Sequence, residues 1–343
     1  MTVPTLLKHG TLNLLDGYDS FVPLAVGETA LAKVDPSSVA FTVTGTGTIS
    51  VKAGTVAYTP GGLATFQAAT AVSMPTLVPG TNYSIFATAP SSATAVAAGT
   101  AGPTGSLLIG GFHYAPGGNA TGVAGGNTTP AINPYSCWDL KWRPACQNPL
   151  GMALVAGAFW ADIYLCGTNV DVNGTSFYGA TMADGTSPPL VPASFGGGGG
   201  VTYPDFGYWS AAELIGSAGK RLPSVREFGM LAYGITEKTS LGADPETAGL
   251  DAPRTSKWGV MQAAGVMWIW GEQFGGPYAA ASWSTAGTNG RGQVYNMPNA
   301  ALLGGNWNDG SDAGSRCSAW NDGPSISANS IGGRGACDHL VLV

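Results

Sequence analysis

Charged side chains are scarce in this chain of 343 residues: Asp, Glu, Lys and Arg make up only 10% of it, and the net charge is −6. A helical bundle needs many more Glu, Lys and Leu, so this composition, with 53 glycines, favours a loop-rich and largely β protein. No stripe of Lys and Arg is present that could neutralise phosphates. We therefore expect no nucleic-acid partner.

Long apolar runs are also missing. No segment approaches the roughly 20 apolar residues of a membrane-spanning helix, and the first residues, 1–17, lack the apolar centre of a secretion signal. We therefore expect no membrane insertion and no secretion signal there. Hydrophobic residues nevertheless make up 44% of the chain, including ten Trp and twelve Tyr. This is enough for a packed core, so global disorder is excluded.

Cysteine and histidine are few. Five cysteines are too few for a disulfide scaffold of this size. Cys137 and Cys146 could close a small loop, Cys317 and Cys337 could pair if their strands are adjacent, and Cys166 is expected to be a buried free thiol. A metal site is disfavoured because the histidines lie far apart without a ligand spacing, at His9, His113 and His339.

The first third of the chain contains short runs in which apolar and polar residues alternate. They begin at Ser38, are rich in Val, Thr and aromatic residues, and are separated by Gly turns. This pattern predicts a small β-sandwich over residues 32–114. Residues 1–31 are apolar pieces broken by Gly and Pro, which we interpret as an N-terminal arm. The Gly-, Ala- and Asn-rich residues 115–133 are predicted to be a linker.

The remainder, residues 134–343, contains most of the tryptophans and is predicted to be a second domain. Two segments, Ser210–Glu213 and Ser224–Glu227, have the capping-box pattern, in which a hydroxyl residue is followed three positions later by Glu at the start of a helix. Gly219 and Gly234 are suitable residues to end these helices. The sequence thus predicts a β-rich α+β protein with two short helices in its second domain.

The last forty residues contain two kinds of position. Gly, Trp and Arg recur in Leu303–Asn308, in Gly314–Arg316 and in Gly332–Gly335. Between them stand Asn, Asp, Ala, Ser and Ile without periodicity. Glycine is used where the backbone turns tightly or packs closely, so these residues form a framework. A fixed framework with arbitrary residues between its members favours a binding surface over a catalytic centre.

Three segments of the second domain resemble the formylglycine-generating-enzyme type of C-type lectin fold. They are Lys220–Phe228, Trp258–Trp270, and Leu303–Trp307 with the two Arg-containing segments that follow it. In this order and spacing, the resemblance implies that residues 134–343 form a C-type lectin fold. The expected fold is therefore an N-terminal β-sandwich followed by a formylglycine-generating-enzyme-like C-type lectin domain.

A closer resemblance, from about residue 32 to the end, is to the variable proteins of diversity-generating retroelements, and among them to the phage tropism-determinant family. It implies that this chain is located on a phage tail tip or a bacterial cell surface. It also implies that the chain binds a macromolecule on a target cell, and we expect this ligand to be a protein. Whether the chain forms the family's homotrimer stays open, because only residues 1–31 stand where the family has an N-terminal domain. The segments that resemble the family are Gly110–Gly117, Val155–Leu165, Lys220–Pro223, Thr255–Val260 and Gly335–Leu340.

The same resemblance implies a variable region at about residues 304–337, in which adenine-directed mutagenesis diversifies certain positions. We call these positions the variable set and expect them to form one solvent-exposed ligand-binding patch. Carried over by matching motif, the variable set is Asn306, Asn308, Asp309, Gly310, Asp312, Ala319, Asn321, Asp322, Ile326, Ala328, Ser330 and Ile331.

Other residues of this region would be invariant, and we call them the frame. We expect its Trp and Arg residues to anchor the core and the strands, with Trp307, Trp320 and Arg334 mostly buried. The frame consists of Trp307, Arg316, Trp320, Gly323, Pro324 and Arg334.

Two other classes of function compete with receptor binding. A formylglycine-generating-type oxidase needs two cysteines that bind copper as thiolates. Cys317 resembles one of them, but Asp312 stands where the other should be, so an enzyme is disfavoured. Calcium-dependent carbohydrate-binding modules use Glu-Pro-Asn or Gln-Pro-Asp loops with gathered carboxylates; Gln147–Pro149 and Met297–Asn299 lack the flanking acids. We expect no cofactor, with a structural calcium ion left open.

Overall fold

Most of the predicted arm (1–31) and the centre of the predicted linker (115–133) lie outside the residues that the structure describes. The computed structural model describes residues 30–117, 128–198, 200–276, 282–289 and 291–342. Over these ranges the chain is rich in β-strands and contains few helices, as predicted. None of the described helices is long and apolar enough to cross a membrane.

The strands of the described residues are short and are distributed from Leu31 to Val341. In chain order they are β1 (Leu31–Ala32), β2 (Phe41–Gly45), β3 (Thr48–Val51), β4 (Thr55–Thr59), β5 (Gly62–Phe66), β6 (Thr70–Ala71), β7 (Thr81–Thr88), β8 (Ser92–Ala97), β9 (Leu107–Pro116), β10 (Pro130–Ile132), β11 (Trp138–Asp139), β12 (Trp142–Pro144), β13 (Met152–Val155), β14 (Phe159–Asp162), β15 (Trp268–Gly275), β16 (Trp283–Ser284), β17 (Val294–Tyr295), β18 (Asn299–Leu303), β19 (Ser318–Ala319), β20 (Ile331–Gly332) and β21 (Ala336–Val341).

Among the described residues, three α-helices lie between β14 and β15. The α-helices are α1 (Val170–Asn173), α2 (Tyr208–Ser217) and α3 (Val225–Leu231), and short 3-10 turns occupy Pro134–Ser136, Ala193–Phe195 and Gly310–Asp312.

The alternating runs of the first domain form three sheets, ordered β1-β4-β5, β2-β3-β6 and β10-β9-β7-β8. Alternation decides which side chains are buried: in β4, Thr55 and Ala57 are buried whereas Tyr58 is exposed. The buried faces share one apolar core that includes Phe66 and Phe112. Period-two patterning therefore places one face of each strand in the core.

The first domain extends further along the chain than the composition suggests. Strand β9 continues to Pro116, and β10 and β11 pair with it, so residues 130–139 complete its sheet rather than belonging to a linker and to the second domain. The physical reason is close backbone approach. Gly110 has no side chain, and a Cβ there would collide with the Trp138 carbonyl.

The second domain contains two four-stranded sheets, ordered β12-β21-β14-β13 and β19-β18-β15-β20, and a hairpin of β16 and β17. The C-terminal strand β21 lies between β12 and β14. Two apolar clusters pack beside the sheets; one includes Leu231 of α3 and the other includes Leu214 of α2. Strand β15 pairs antiparallel with β18 and parallel with β20, and this sheet carries the variable region.

One of the two predicted capping boxes is confirmed. The Ser224 hydroxyl accepts a hydrogen bond from the Glu227 N–H, and the Glu227 carboxylate accepts one from the Ser224 N–H. The other prediction is wrong, because α2 begins at Tyr208 and Ser210 lies inside it, where its hydroxyl donates to Asp205. In the first turn of α2, the Tyr208 N–H instead donates to the Pro324 carbonyl of the variable region.

All five cysteines are free thiols, so neither pairing considered from the sequence is present. Cys137 packs in the core of the first domain, and burial raises its pKa to about 12. Cys146 packs instead beside Cys337, and Cys317 lies in the variable region. Cys166 is a buried free thiol, as predicted.

Candidate functional site

The structure brings most of the variable set together. Eight of its twelve members line one shallow pocket of about 360 Å³, which we call the variable pocket. Trp268 of β15 and Leu302 of β18 contribute apolar side chains to the same pocket. Residues from β19 and β20 and from the segment between them therefore meet on one side of a single sheet. The eight are Asn306, Ala319, Asn321, Asp322, Ile326, Ala328, Ser330 and Ile331.

The other four members, Asn308, Asp309, Gly310 and Asp312, follow Asn306 on the turn after β18. Asn308, Gly310 and Asp312 are exposed, and Asp309 is half-buried. We call the variable pocket and this turn together the variable surface. It combines carboxylates and amides with an apolar residue, Ile326, that is 37% exposed.

Two side chains of this surface shape their own turn. The Asp309 carboxylate accepts a hydrogen bond from the Asn306 N–H at 2.7 Å, and the Asn306 side-chain oxygen accepts one from the Asn308 N–H at 2.7 Å. Short polar side chains often close turns in this way. Asn306 and Asp309 thus contribute to the fold as well as to the surface.

Ile331 departs from the expectation that the whole variable set is exposed. Its side chain is only 4% exposed and belongs to the apolar cluster beneath the sheet. The cause is its place in β20, where it pairs with Trp268 of β15. Ile331 therefore forms part of the pocket floor, and a polar residue there would be buried.

Several main-chain carbonyls of the variable region accept hydrogen bonds from the rest of the domain. The Trp307 carbonyl accepts hydrogen bonds from the Ser240 hydroxyl and the Gly242 N–H, both at 2.7 Å. The Pro324 carbonyl accepts from the Tyr208 N–H at 2.9 Å, which satisfies the first turn of α2. These bonds need no particular side chain in the variable region.

The same holds along the rim of the variable pocket. The Asp322 carbonyl accepts from the Ala300 N–H at 3.0 Å, and the Ser330 carbonyl accepts from the Trp268 N–H at 2.9 Å. The Ala328 carbonyl accepts a hydrogen bond from the Gly185 N–H at 3.0 Å. Three members of the variable set are therefore fixed in place by atoms that every amino acid has.

The frame residue Arg334 is fully buried, as predicted. Its guanidinium donates to the carbonyls of Asp162 and Ile163 at 2.7 and 2.9 Å, and to those of Met261 and Gln262 at 2.7 and 3.1 Å. Burial lowers its pKa to about 10. One side chain thus joins β14, the loop before β15 and the segment that leads into β21.

The tryptophans of the frame are less buried than expected. Trp307 and Trp320 are half-buried and pack against the edge of the larger apolar cluster. The Trp320 ring lies against the glycines at the end of β15, since a Cβ at Gly275 would be 3.1 Å from it. The indole N–H donates to Ser318 at 3.1 Å. Each side chain is therefore partly accessible to solvent.

The prediction that Arg316 is an anchor is wrong, because its side chain is exposed. The neighbouring Ser315 is the anchor: its N–H and hydroxyl donate to the Glu237 carboxylate at 2.9 and 2.5 Å. Sequence reasoning missed Glu237. No local motif marks it, since its partner is distant in the chain.

Cys317 lies near two carboxylates of the variable region, those of Asp309 and Asp312. Burial, together with the carboxylates of Asp309 and Asp312, raises the pKa of Cys317 to about 11. The group is therefore a neutral thiol at physiological pH. No cluster of three or more His, Cys, Asp or Glu side chains that could hold a metal is found among the described residues.

Comparison with known proteins gives consistent matches. A family model described as the Mtd second domain matches residues 39–139, which agrees with the end of the first domain at β11. A tail fiber receptor-binding protein of Bordetella phage BPP-1 is 49% identical over 329 residues, which cover 92% of this chain and 86% of that protein.

Solved structures agree over almost the same length. The U1 variant of the Major Tropism Determinant superposes with a TM-score of 0.88 at 48% identity, covering 94% of this chain and 89% of that one. The M1 variant gives the same TM-score and coverage at 47% identity. The similarity therefore extends over most of this chain and most of each of these relatives.

Proposed function

The chain belongs to the major tropism determinant family of phage receptor-binding proteins, and on this premise we propose that its variable surface binds a receptor on the host cell. The protein acts at the tail of the virion. Its ligand is a macromolecule exposed on the cell, and we infer that it is a protein.

The observation that carries this proposal is the convergence of eight variable residues on one pocket whose rim is held by main-chain hydrogen bonds. Because these bonds do not depend on side-chain identity, many residue combinations fit the same backbone. Side chains that face solvent contribute little to stability. This arrangement supports diversification of the twelve positions by a retroelement, apart from the buried floor at Ile331.

The chemistry of the variable surface supports a protein ligand. Its charged members, Asp309, Asp312 and Asp322, are all acidic, and Asp322 lines the same pocket as an exposed apolar residue, Ile326. Shallow relief of this kind suits a broad contact with basic and apolar groups more than deep enclosure of a small molecule. We expect each copy to bind weakly and a homotrimer, repeated on a particle, to supply avidity.

The finer assignments rest on the family and on sequence patterns. We propose that the second domain has the C-type lectin fold, that it is not an enzyme and that it needs no cofactor. A structural calcium ion and a calcium-dependent lectin activity are the alternatives. Binding to host cells that is abolished by EDTA and restored by calcium would favour the lectin alternative.

Paired substitutions at exposed asparagines test the proposal directly. Asn321→Lys changes the variable pocket, whereas Asn329→Lys changes an equally exposed residue of the same segment that is outside the variable set. We expect N321K to weaken binding of multimerised protein to host cells by about tenfold or more, since a buried interface charge without a partner costs at least ~1.4 kcal/mol. N329K should bind as the unmodified chain does. Equal loss in both variants would contradict the assignment.

Neighbouring DNA provides a second, independent test. We expect a reverse-transcriptase gene and a near-copy of the segment that encodes residues 304–337. The two copies should differ at the codons of the variable set, and only where the template has adenine. A neighbourhood without such a copy would contradict diversification while leaving receptor binding untouched.

A further inference from the structure

The end of β12 and the start of β21 place two cysteines opposite each other. In the antiparallel ladder, Pro144 is opposite His339. The ladder continues beyond β12, because the Ala145 N–H donates to the Asp338 carbonyl at 2.9 Å. One further step in the same register pairs residue 146 with residue 337, and both are cysteines.

The hydrogen-bond pattern shows which kind of pair this is. The Leu342 N–H donates to the Lys141 carbonyl at 2.8 Å, so residues 141 and 342 form a hydrogen-bonded pair. Such pairs recur at every second position of an antiparallel ladder, and Ala145 with Asp338, next to the cysteines, is therefore one of them. Cys146 and Cys337 therefore occupy a non-hydrogen-bonded position, where Cα atoms are about 4.5 Å apart and side chains approach most closely. A disulfide requires Cα atoms about 4.4–6.8 Å apart.

The side chains are in contact as this register requires. Both thiols belong to one small cluster with Met152 and Trp160. As neutral groups, Cys146 donates to the Asn148 carbonyl at 3.2 Å and Cys337 donates to the Gly219 carbonyl at 4.0 Å. The neighbouring Cys337 thiol, which can donate to a Cys146 thiolate, and the Lys220 ammonium lower the pKa of Cys146, against the opposing effect of burial. The same interaction with Cys146, together with burial, raises the pKa of Cys337.

Solvent reaches this pair from the Cys337 side. An open pocket of about 250 Å³ is lined by Gly219, Lys220, Arg221 and Cys337. Both cysteines are buried, at 3% exposure for Cys146 and 5% for Cys337, and Cys337 but not Cys146 lines this pocket. A small reagent would therefore meet Cys337 first.

We propose that Cys146 and Cys337 form a disulfide by exchange with a small-molecule disulfide. In the first step the Cys337 sulfur attacks one sulfur of the reagent, forming a mixed disulfide and releasing one small thiol, which takes the proton. The Cys146 thiol then loses its proton and its sulfur attacks the Cys337 sulfur, and the second small thiol leaves with that proton. The protein loses two hydrogens and two electrons in total, and the reagent is reduced to two thiols.

This bond would close a loop over residues 146–337, which contains almost the whole second domain and its variable region. A disulfide stabilises chiefly by restricting the unfolded chain, and more so for long loops. It would therefore stabilise the scaffold whatever side chains the variable set carries. Disulfides persist on extracellular and virion surfaces, so the bond would form after release from a reducing cell. This benefit rests on the proposed function, but the thiol chemistry does not.

The test uses the folded, fully reduced protein treated with hydroxyethyl disulfide. After quenching with iodoacetamide, peptide mapping should find Cys146 linked to Cys337, and the other three cysteines alkylated once the protein is unfolded. The melting temperature should rise by about 5–10 °C over that of the reduced protein. Five alkylated cysteines, or a link between any other two, would overturn the proposal.

Three variants separate the steps. C146S should accumulate a mixed disulfide on Cys337, whereas C337S should gain none on Cys146. The matched control is C166S, which alters another buried thiol of the same domain and should still form the link. An adduct on Cys146 in C337S would overturn the route through the pocket. Cell binding by the unmodified protein in both redox states is measured in parallel, so that failure of receptor binding is recognised separately.

Discussion

Two arginines of the variable region, Arg316 and Arg334, lie in the same segment and face opposite environments. Arg334 is fully buried and donates to four carbonyls, whereas the side chain of Arg316 is exposed. The difference shows two ways in which this region is held to the fold. Where a side chain supplies the anchor, replacing it costs stability; where the main chain supplies it, the side chain can be replaced without losing that hydrogen bond.

Replacing each arginine by methionine should give the largest contrast. Arg334→Met removes the guanidinium from four buried carbonyls, one of which, that of Ile163, also accepts from the Met261 N–H. We expect a loss of about 3–5 kcal/mol in the free energy of unfolding. Arg316→Met should change it by no more than about 0.5 kcal/mol. Urea denaturation of both variants measures the difference. Similar losses in the two would show that Arg316 is also an anchor.

Acidification should weaken the buried scaffold through His113, at the contact between the domains. Its ring bonds Asn82 at 2.8 Å and Tyr164 at 3.0 Å, and burial lowers its pKa to about 3. Below pH 6.5 the unfolded chain binds a proton that the folded chain does not, so stability is lost as the pH falls from 6.5 towards 3. We expect about 2 kcal/mol lost between pH 7 and pH 5.

The matched variant for this pH effect is His113→Gln, which cannot titrate. It should be less stable at pH 7 but should lose less stability between pH 7 and pH 5 than the unmodified chain. Denaturation curves at the two pH values provide the measurement. The same pH dependence in both proteins would assign the effect to carboxylates elsewhere.

Whether a feature of this structure can be predicted from the sequence depends on how close its interacting residues are in the chain. The capping box at Ser224 and the alternating strands are local, and both are confirmed. The start of α2 depends on the Pro324 carbonyl, and the position of Ser315 depends on Glu237. These partners are brought together by the fold from distant parts of the chain, and no residue pattern marks them.

The same argument applies to the frame and to the cysteines. Resemblance identifies Trp307 and Arg316 as fixed positions, but a fixed residue can be held for packing, for solvent contact or for binding. A one-dimensional pattern does not separate these reasons. The pairing of Cys146 with Cys337 depends on the register of β12 and β21, which only the assembled sheet defines.

Within the variable surface, the turn after β18 should show a smaller effect. Asp309→Ala removes the acceptor of the Asn306 N–H, and we expect a loss of about 1 kcal/mol. Asp312→Ala, at an exposed carboxylate of the same turn, is the control and should lose less than about 0.5 kcal/mol. Thermal melting of the two variants distinguishes them. Equal stability would show that the turn needs no side-chain acceptor.

The smallest effect on stability is expected where the effect on binding is largest. If every side chain of the variable set faced solvent, a fivefold substitution of Asn306, Asn308, Asp309, Asn321 and Asp322 would leave the melting temperature nearly intact. The hydrogen bonds of Asn306 and Asp309 now predict a measurable loss for that variant.

The double variant N308A/N321A changes two exposed side chains that accept no main-chain hydrogen bond among the described residues. It should melt within about 2 °C of the unmodified protein, since exposed substitutions cost at most ~0.5 kcal/mol, and should still bind host cells more weakly. Unaltered binding with unaltered stability would place the receptor contact outside these two positions.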